Sequence, residues 1–304
     1  MWALGEPLLV DRAAERRDLA DLASLHAVVV RNGSILAMDG RLAILAPAEQ
    51  PSASLRVYLG VDAGRDVVAL VPEDSAFGTD TDGIGGDGMI PLRALLGQLA
   101  QRGREGARDR ELAATAVALT TWHANHPRCA VCGGQTEPIK GGWVRYCERD
   151  SREHYPRTDP AVIVAITDPE DRLLLAHASY WSPRRFSHLA GYVEPGESLE
   201  QAAHREVFEE ARLRLRDLAY VGSQPWPFPA SIMVGFTASV DSSEFVLDQD
   251  EISEAMFVSR EEIVELVADG TVILAPHGSI ARRLLEEWYG GPIDDATRAE
   301  RITV

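Results

Sequence analysis

The stretch Gly191-Tyr192-Val193-Glu194-Pro195-Gly196-Glu197-Ser198, running on into Arg205-Glu206-Val207-Phe208-Glu209-Glu210-Ala211-Arg212-Leu213, holds the densest chemistry in the chain. Its first half is a Gly/Pro turn, and Ser198 with Gln201 three residues on makes the capping-box pattern that starts a helix. Helical spacing over residues 198–211 puts Glu206, Glu209 and Glu210 at i, i+3 and i+4, on one face. Three carboxylates that close repel one another and weaken the helix, so a solvated acidic face is the plain reading. Val207 and Leu213 nevertheless supply an apolar side, and a glycine-rich loop feeds straight into the helix. Hard oxygen donors gathered in this way suit Mg²⁺ or Mn²⁺, which keep waters and bridge to substrate phosphates.

This segment resembles the Nudix box: Gly, five residues, Glu, seven residues, Arg-Glu, an aliphatic, any residue, Glu-Glu, any residue, Gly, an aliphatic. Gly191, Glu197, Arg205, Glu206, Val207, Glu209, Glu210 and Leu213 match, and Arg212 stands where the last glycine would be. That glycine would end the helix at positive φ, so Arg212 alters a turn and removes no ligand. The resemblance implies hydrolysis of a nucleoside diphosphate linked to another moiety, with more than one divalent metal ion activating water and neutralising the diphosphate. It implies Glu206 and Glu210 as metal ligands, Glu209 as a ligand or the base, and Arg205 orienting a carboxylate such as Glu197. The backbone carbonyl of Ala190, just before the box, is a further ligand position in the family.

Beyond the box comes Ser223-Gln224-Pro225-Trp226-Pro227-Phe228-Pro229-Ala230-Ser231. Three alternating prolines are expected to hold an extended backbone and set the directions of Trp226 and Phe228. Rigid aromatics at that spacing are either core filler or a platform for a flat heteroaromatic ring. The array is similar to the SQPWPFPxS signature of the NADH pyrophosphatase (NAD diphosphatase) branch of Nudix hydrolases, with Ala230 where that branch usually has Gln. The resemblance implies that Gln224, Pro225, Trp226, Pro227, Phe228, Pro229, Ala230 and Ser231 help form a dinucleotide pocket. It aligns Glu251, in Asp248-Gln249-Asp250-Glu251-Ile252, with a metal-binding glutamate, and Ala281 with a backbone contact of the pocket. Arg282 and Arg283, on a C-terminal helix, read as surface residues rather than site.

Cys129-Ala130-Val131-Cys132 is a CxxC knuckle, and Cys147 follows after 14 intervening residues. A zinc ribbon wants two such knuckles, each offering two thiolates to a tetrahedral metal. Asp150 occupies the place of the fourth cysteine, His154 competes for it, and a degenerate ribbon without metal is the plain alternative. NADH pyrophosphatases have a four-cysteine ribbon between two domains, which supports structural zinc held by Cys129, Cys132, Cys147 and Asp150. Tyr155-Pro156 matches that branch as well, where the tyrosine contacts substrate.

Working outward, 304 residues suffice for about two domains. Counting 30 Lys+Arg against 47 Asp+Glu gives a charge of −17, which argues against passive binding along a phosphate backbone. Any polyanionic substrate must be met by bound cations or by a local site. No window approaches the ~18 apolar residues of a membrane span, and Met1–Pro7 lacks the basic start of a signal peptide. Three cysteines cannot pair off and a chain of this length needs no disulfide staples, so it reads as cytoplasmic, with no membrane association.

Residues 26–71 read as β, with a hairpin turn at Asn32-Gly33 and short apolar runs at 42–45 and 67–71. An Asp/Gly-rich linker at 73–88 fits no EF-hand spacing. Helices are predicted at 92–99, 112–122, 198–211, 261–268 and 280–289, and strands at 161–166, 173–176, 218–221, 232–240 and 255–258. Strands and helices mix without regular alternation, so the class is α+β. The resemblance implies a Nudix α/β/α sandwich at 158–304, a ribbon at 126–157, and a Nudix-like domain without the box at 1–125, assembled as a homodimer.

The reaction it implies is NAD(H) plus water giving NMN(H) plus AMP. Relatives also remove NAD caps from RNA 5′ ends by cutting the same pyrophosphate. Two other readings stand beside it. One is a broader pyrophosphohydrolase acting on ADP-ribose, FAD or diadenosine polyphosphates, which Ala230 allows. The other is a non-catalytic NAD-sensing or RNA-end-binding protein, against which the intact Glu206, Glu209 and Glu210 speak.

Overall fold

The computed structural model describes residues 7–18, 21–73 and 88–295. The chain divides into two compact units, one running to Thr158 and taking in Trp226–Ala230, the other made of Asp159–Pro225 and the chain from Ser231 on.

In the first unit, β1 (His26–Arg31) and β2 (Ser34–Met38) form the hairpin that Asn32-Gly33 predicts. Both turn residues have positive φ, 48° and 76°, the conformation in which a two-residue turn matches the twist of its strands. β3 (Arg41–Leu42), β4 (Ala53–Asp62), β5 (Arg65–Pro72) and β6 (Gly88–Pro91) complete the sheet, ordered β3-β2-β1-β5-β4 with β6 also on β2. β4 and β6 carry weak apolar signals, being broken by Arg56 and Gly60 and by flanking prolines, and are not separated by periodicity alone. Of the predicted linker, residues 74–87 lie outside the described residues.

α1 (Leu92–Ala100) and α2 (Gly103–Asn125) cover this sheet. α2 buries Leu112, Ala116 and Leu119 as predicted but starts at Gly103, earlier than its apolar spacing shows. The extra turns are held by charge instead: Arg108 reaches Asp62 at 2.8 Å and Arg41 reaches Glu105 at 2.8 Å. The ribbon is an antiparallel sheet of β7 (Glu137–Ile139), β8 (Val144–Cys147) and β9 (Arg152–His154). Trp143 Nε1 donates to the Tyr58 carbonyl at 2.6 Å, tying the ribbon to β4. Arg145 donates to His123 Nδ1 at 2.8 Å, so the ring donates from Nε2 to the Gly142 carbonyl at 2.7 Å.

The second unit contains β10 (Asp159–Thr167), β11 (Leu173–Ala178), β12 (Leu189–Tyr192), α3 (Leu199–Ala211), β13 (Arg216–Trp226), β14 (Ser231–Ser239), β15 (Ile252–Val258), α4 (Arg260–Ala268) and α5 (Ile280–Tyr289). β10 and β14 run parallel, in register from Asp159↔Ser231 to Thr167↔Ser239. The order is β13-β14-β10-β11-β15, with β12 antiparallel to β10. β12 is not predicted by pattern, because a strand of Leu-Ala-Gly-Tyr followed by Gly and Pro reads as a turn.

Strand for strand, the two sheets share a plan. β4-β5-β1-β2-β6 corresponds to β13-β14-β10-β11-β15, each with one parallel pair in the middle, β1·β5 and β10·β14. Where the second unit inserts α3, the first has only a short 3₁₀ turn, Pro47–Glu49. The first unit therefore repeats the sandwich without its acidic helix, and the mixed α+β fold stands as read.

Two expectations need correction. The proline array is extended only as far as Trp226, where β13 ends, and residues 227–230 form the turn into β14. Proline's fixed φ serves a turn as well as an extended run. Arg282 is not a surface residue: it is 2% exposed and donates to Glu286 at 2.7 Å, Asp295 at 2.6 Å and the Ile293 carbonyl at 2.5 Å. These partners let a buried guanidinium anchor α5 to the chain that follows it. Arg283 is half-buried and pairs with Glu287 at 2.5 Å.

Ser198 caps α3 as predicted, accepting from Gln201 N while the Gln201 side chain accepts from Ser198 N. At the other end Arg212 adopts φ 58°, its N–H donating to the Phe208 carbonyl at 2.9 Å. A side chain in this left-handed conformation costs about 1–2 kcal/mol. Arg212→Gly is therefore expected to stabilise the protein by about 0.5–1 kcal/mol, net of the lost side-chain contacts. Urea unfolding checks this, and a lower midpoint for the variant would show that the Arg212 side chain stabilises more than its backbone costs.

Candidate active site

α3 presents its carboxylates toward β12 because the capping box fixes where the helix begins and Val207, Ala203 and Ala211 face the core. Gly191 sits on β12 opposite Val162 of β10. A Cβ at Gly191 would lie 2.0 Å from Glu206 Cδ, so the glycine's missing side chain is the space that the Glu206 carboxylate occupies. Here a box glycine is required by close approach, not by a positive φ.

Arg205 holds the cluster together. Its Nε donates to Glu197 Oε2 at 3.1 Å and its Nη2 to Glu197 Oε1 at 2.5 Å. Nη1 lies 2.9 Å from Glu209 Oε2 and 3.0 Å from Glu206 Oε1, and Nη2 donates to the Tyr192 carbonyl at 2.9 Å. Glu197 also accepts from Glu194 N at 2.7 Å, so the predicted orienting contact closes the Gly/Pro turn as well.

Glu210 is buried and accepts a backbone hydrogen bond from Ala190, while its Oε2 has no partner. Burial, reinforced by Glu206 and Glu251, pushes its pKa up to about 8. Burial also raises Glu206, with Glu209 and Glu251 adding to the shift and Arg205 opposing it. Glu251 comes from outside the box. It precedes β15 in a turn where Asp248 N donates to the Glu210 carbonyl at 3.0 Å and Ser179 N donates to the Glu251 carbonyl at 2.8 Å. The structure thus brings together Glu206, Glu209, Glu210, Glu251, Arg205 and Ala190. Glu206, Glu251 and Glu209 all act electrostatically on Glu210, whose Oε2 is buried and unpartnered, and an all-oxygen donor set of this kind suits a hard divalent cation.

Tyr192 is a member that sequence reasoning passed over. It is 52% exposed beside the cluster, and its Oη lies 3.1 Å from Ser231 Oγ, linking the box to the downstream array. Its signal was an aromatic directly after the box glycine. Gln224 is buried with both amide atoms engaged, donating to the Gly278 carbonyl at 2.8 Å and accepting from Ile280 N at 2.7 Å. Nearby, His188 donates from Nε2 to the Ala281 carbonyl at 3.1 Å, and burial holds it neutral with a pKa of about 4. Pro225 belongs to the same unit and is exposed.

Trp226, Pro227, Phe228, Pro229 and Ala230 belong to the first unit. There Trp226 and Phe228 meet edge to face at 5.0 Å, pack partly buried on the core, and carry the Arg93 guanidinium 5.5 and 4.9 Å from their ring centres. Tyr155 is exposed and donates to Glu153. The donor atoms of Cys129, Cys132, Cys147 and Asp150 lie within 4.8 Å of one another. Cys129 Sγ donates to Asp150 Oδ2 at 3.1 Å, and the Asp150 Oδ1 atom is buried without a partner. His154 is not part of this group. Three thiols and a carboxylate in one compact set suit a tetrahedral zinc ion.

Residues 157–276 match the NUDIX domain family, and residues 124–155 match the NADH pyrophosphatase zinc ribbon domain. The chain is 39% identical over 279 residues to the NAD-capped RNA hydrolase NudC of Mycobacterium bovis, spanning 87% of this chain and 83% of that one. It is 40% identical over 173 residues to the NAD-capped RNA hydrolase NudC of Pseudomonas syringae pv. syringae, spanning 57% of this chain and 59% of that one. The NAD-capped RNA hydrolase NUDT12 of Macaca fascicularis is 33% identical over 210 residues, 65% of this chain and 44% of its own length.

The Gly191 contact makes a sharp expectation. Gly191→Ala should displace the Glu206 carboxylate and weaken Mn²⁺ binding by about tenfold or more; calorimetric titration reads the change, and unchanged affinity would remove Glu206 from the ligand set. The Glu210 shift makes another. A carboxyl whose folded pKa is raised stabilises the fold fully below its unfolded pKa, near 4.5, and that contribution is lost as pH climbs through about 8. In EDTA the melting temperature should therefore fall between pH 5 and pH 8 by more than in the Glu210→Gln variant, and saturating Mn²⁺ should flatten the difference.

Proposed function

Because the chain belongs to the family of the NudC NAD-capped RNA hydrolases, within the Nudix hydrolases, we propose that it hydrolyses the pyrophosphate bond of NAD(H) to NMN(H) and AMP, and removes NAD caps from RNA 5′ ends by cutting that same bond. The observation that carries this reading is the carboxylate cluster around Arg205, seated against Gly191.

Glu206, Glu209, Glu210 and Glu251, with the Ala190 carbonyl, would hold Mg²⁺ or Mn²⁺, more than one ion being accommodated by so many oxygens. Such ions, when bound, lower the pKa of water and offset charge on the attacked phosphoryl group. A water oxygen attacks one phosphorus, the bridging P–O bond breaks, and a carboxylate takes the water's proton. Glu210 suits that last role best. One of its oxygens is held by the Ala190 N–H and the other is buried and unpartnered, whereas Glu206 and Glu209 are both engaged by Arg205. Arg205 and Glu197 act by holding the cluster in place.

By resemblance, Tyr155, residues 224–231 and the backbone of Ala281 would contact the dinucleotide, and Tyr192, beside the carboxylates, would join them. Gln224 contributes by fixing the start of α5, since its amide is already engaged. Cys129, Cys132, Cys147 and Asp150 would hold a structural zinc ion. Among the described residues no helix is long and apolar enough to cross a membrane. The family arrangement supports a homodimer, and cysteines confined to the ribbon support a cytoplasmic location.

Product analysis with NADH and Mg²⁺ or Mn²⁺ tests the reading. Wild type should release AMP and NMNH. Glu210→Gln should lose about a hundredfold or more in kcat, the usual worth of a positioned proton acceptor, and Glu209→Gln less. NADH binding without AMP release under either metal would leave a sensor or binding protein. Comparable kcat/KM on ADP-ribose or FAD would mark a broader pyrophosphohydrolase.

A further inference from the structure

We propose that Arg212 and Arg214, braced on Phe208, form a phosphate clamp for the RNA chain that follows an NAD cap. The inference rests on the decapping reading above and adds a site for the part of the substrate that the dinucleotide pocket does not reach.

An open recess of about 450 Å³ lies along the outer side of α3, and its lining includes His204, Arg205, Phe208, Arg214 and Arg216. In a chain carrying 47 Asp+Glu and 30 Lys+Arg, a wall with three arginines and no carboxylate is unusual. Two of these cations are already committed: Arg205 to the carboxylate cluster, and Arg216 to Asp241 at 3.0 Å. Among the described residues neither Arg212 nor Arg214 has a carboxylate partner. Arg212 is not itself in the recess lining but directly precedes its residues 213–216, and among the described residues its side chain hydrogen-bonds the Phe208 carbonyl, at 3.4 Å.

Phe208 explains their placement. It is 36% exposed, a large ring on the wet face of a helix. The guanidinium carbon of Arg212 lies 5.2 Å from its ring centre and that of Arg214 5.0 Å. Stacking on an aromatic ring restrains a guanidinium while leaving its N–H fork free, the state from which it binds phosphate with least loss of entropy. The negative end of a helix would account for one arginine at its C-cap. It does not account for a second one beyond it or for an exposed aromatic between them.

Position supplies the occupant. On α3, positions 204 and 208 make one face, with Arg212 at the C-cap held against Phe208, and Glu206 and Glu210 make the opposite one. Arg205 and Glu209, joined at 2.9 Å, form the boundary between the two. A strand leaving the reacting diphosphate can therefore cross that boundary into the recess. The free dinucleotide ends before it. A net charge of −17 repels RNA in general, so a local pair of uncommitted arginines is what a capped RNA needs and NADH does not.

The test compares NADH with an NAD-capped oligoribonucleotide on wild type, Arg212→Gly, Arg214→Gln and the double variant. Arg212→Gly removes the cation and leaves the backbone with the residue it favours, so loss of fold is not an explanation, and melting temperatures verify this. Each arginine removed should lower kcat/KM on the capped RNA by about threefold or more and cut the salt slope by about 0.7, the counterion release expected per single-strand phosphate. NADH turnover should change less than about twofold, within the noise of a screened surface charge. Equal losses on both substrates, or unchanged RNA turnover and salt slope, would overturn the clamp. Wild type that cleaves NADH but not capped RNA would overturn it too. Wild type that cleaves neither would refute the proposed function instead, and the clamp is then read by fluorescence anisotropy of the same RNA on the Glu210→Gln protein: affinity unaffected by the arginine substitutions would overturn it.

Discussion

Carboxylates do not gather unaided. Two unit charges about 4 Å apart cost about 4 kcal/mol at an effective dielectric near 20, while a good helix cap contributes about 1 kcal/mol. The capping box of α3 cannot hold Glu206, Glu209 and Glu210 together by itself, and Arg205 supplies the missing attraction. Through its five donor contacts it ties the helix to Glu197 in the turn and to the Tyr192 carbonyl on β12. Its partners leave Glu210 out. That carboxylate, buried and repelled, holds its proton to about pH 8, a state that a divalent cation would reverse.

The second constraint is steric and comes from the sheet. β12 pairs with β10, which sets Gly191 where the Glu206 carboxylate needs room. Any side chain at that position would drive the carboxylate off the cluster. The same sheet plan recurs in the first unit, but the connection that carries α3 in one is a single 3₁₀ turn in the other. Architecture is thus repeated while the acidic helix is present once, and chemistry follows the helix and not the sandwich.

Much of the fold was legible. Asn32-Gly33, the apolar runs of β10 and β14, and the capping box of α3 are local signals, and each appears where the residues placed it. Strands whose pairing depends on distant partners were not legible: β4, β6 and β12 are short of apolar residues or interrupted by Gly and Pro. Arg282 shows the same limit from the other side. A guanidinium reads as exposed until its partners, Glu286, Asp295 and the Ile293 carbonyl, are seen to surround it.

By itself the sequence determined the kind of chemistry: the spacing of carboxylates on one helix face, the arginine beside them, and three cysteines with an aspartate in the fourth place. These are properties of residue type and local spacing, which a helix or a knuckle converts directly into geometry. Only the tertiary structure decided which groups from elsewhere complete them. Glu251 arrives through a turn hydrogen-bonded to the end of α3, Asp150 and not His154 joins the thiols, and Trp226–Ala230 packs within the first unit although its flanking strands belong to the second. The reason is physical: contacts between residues far apart in sequence are selected by burial and pairing of the whole chain, and no local pattern encodes them.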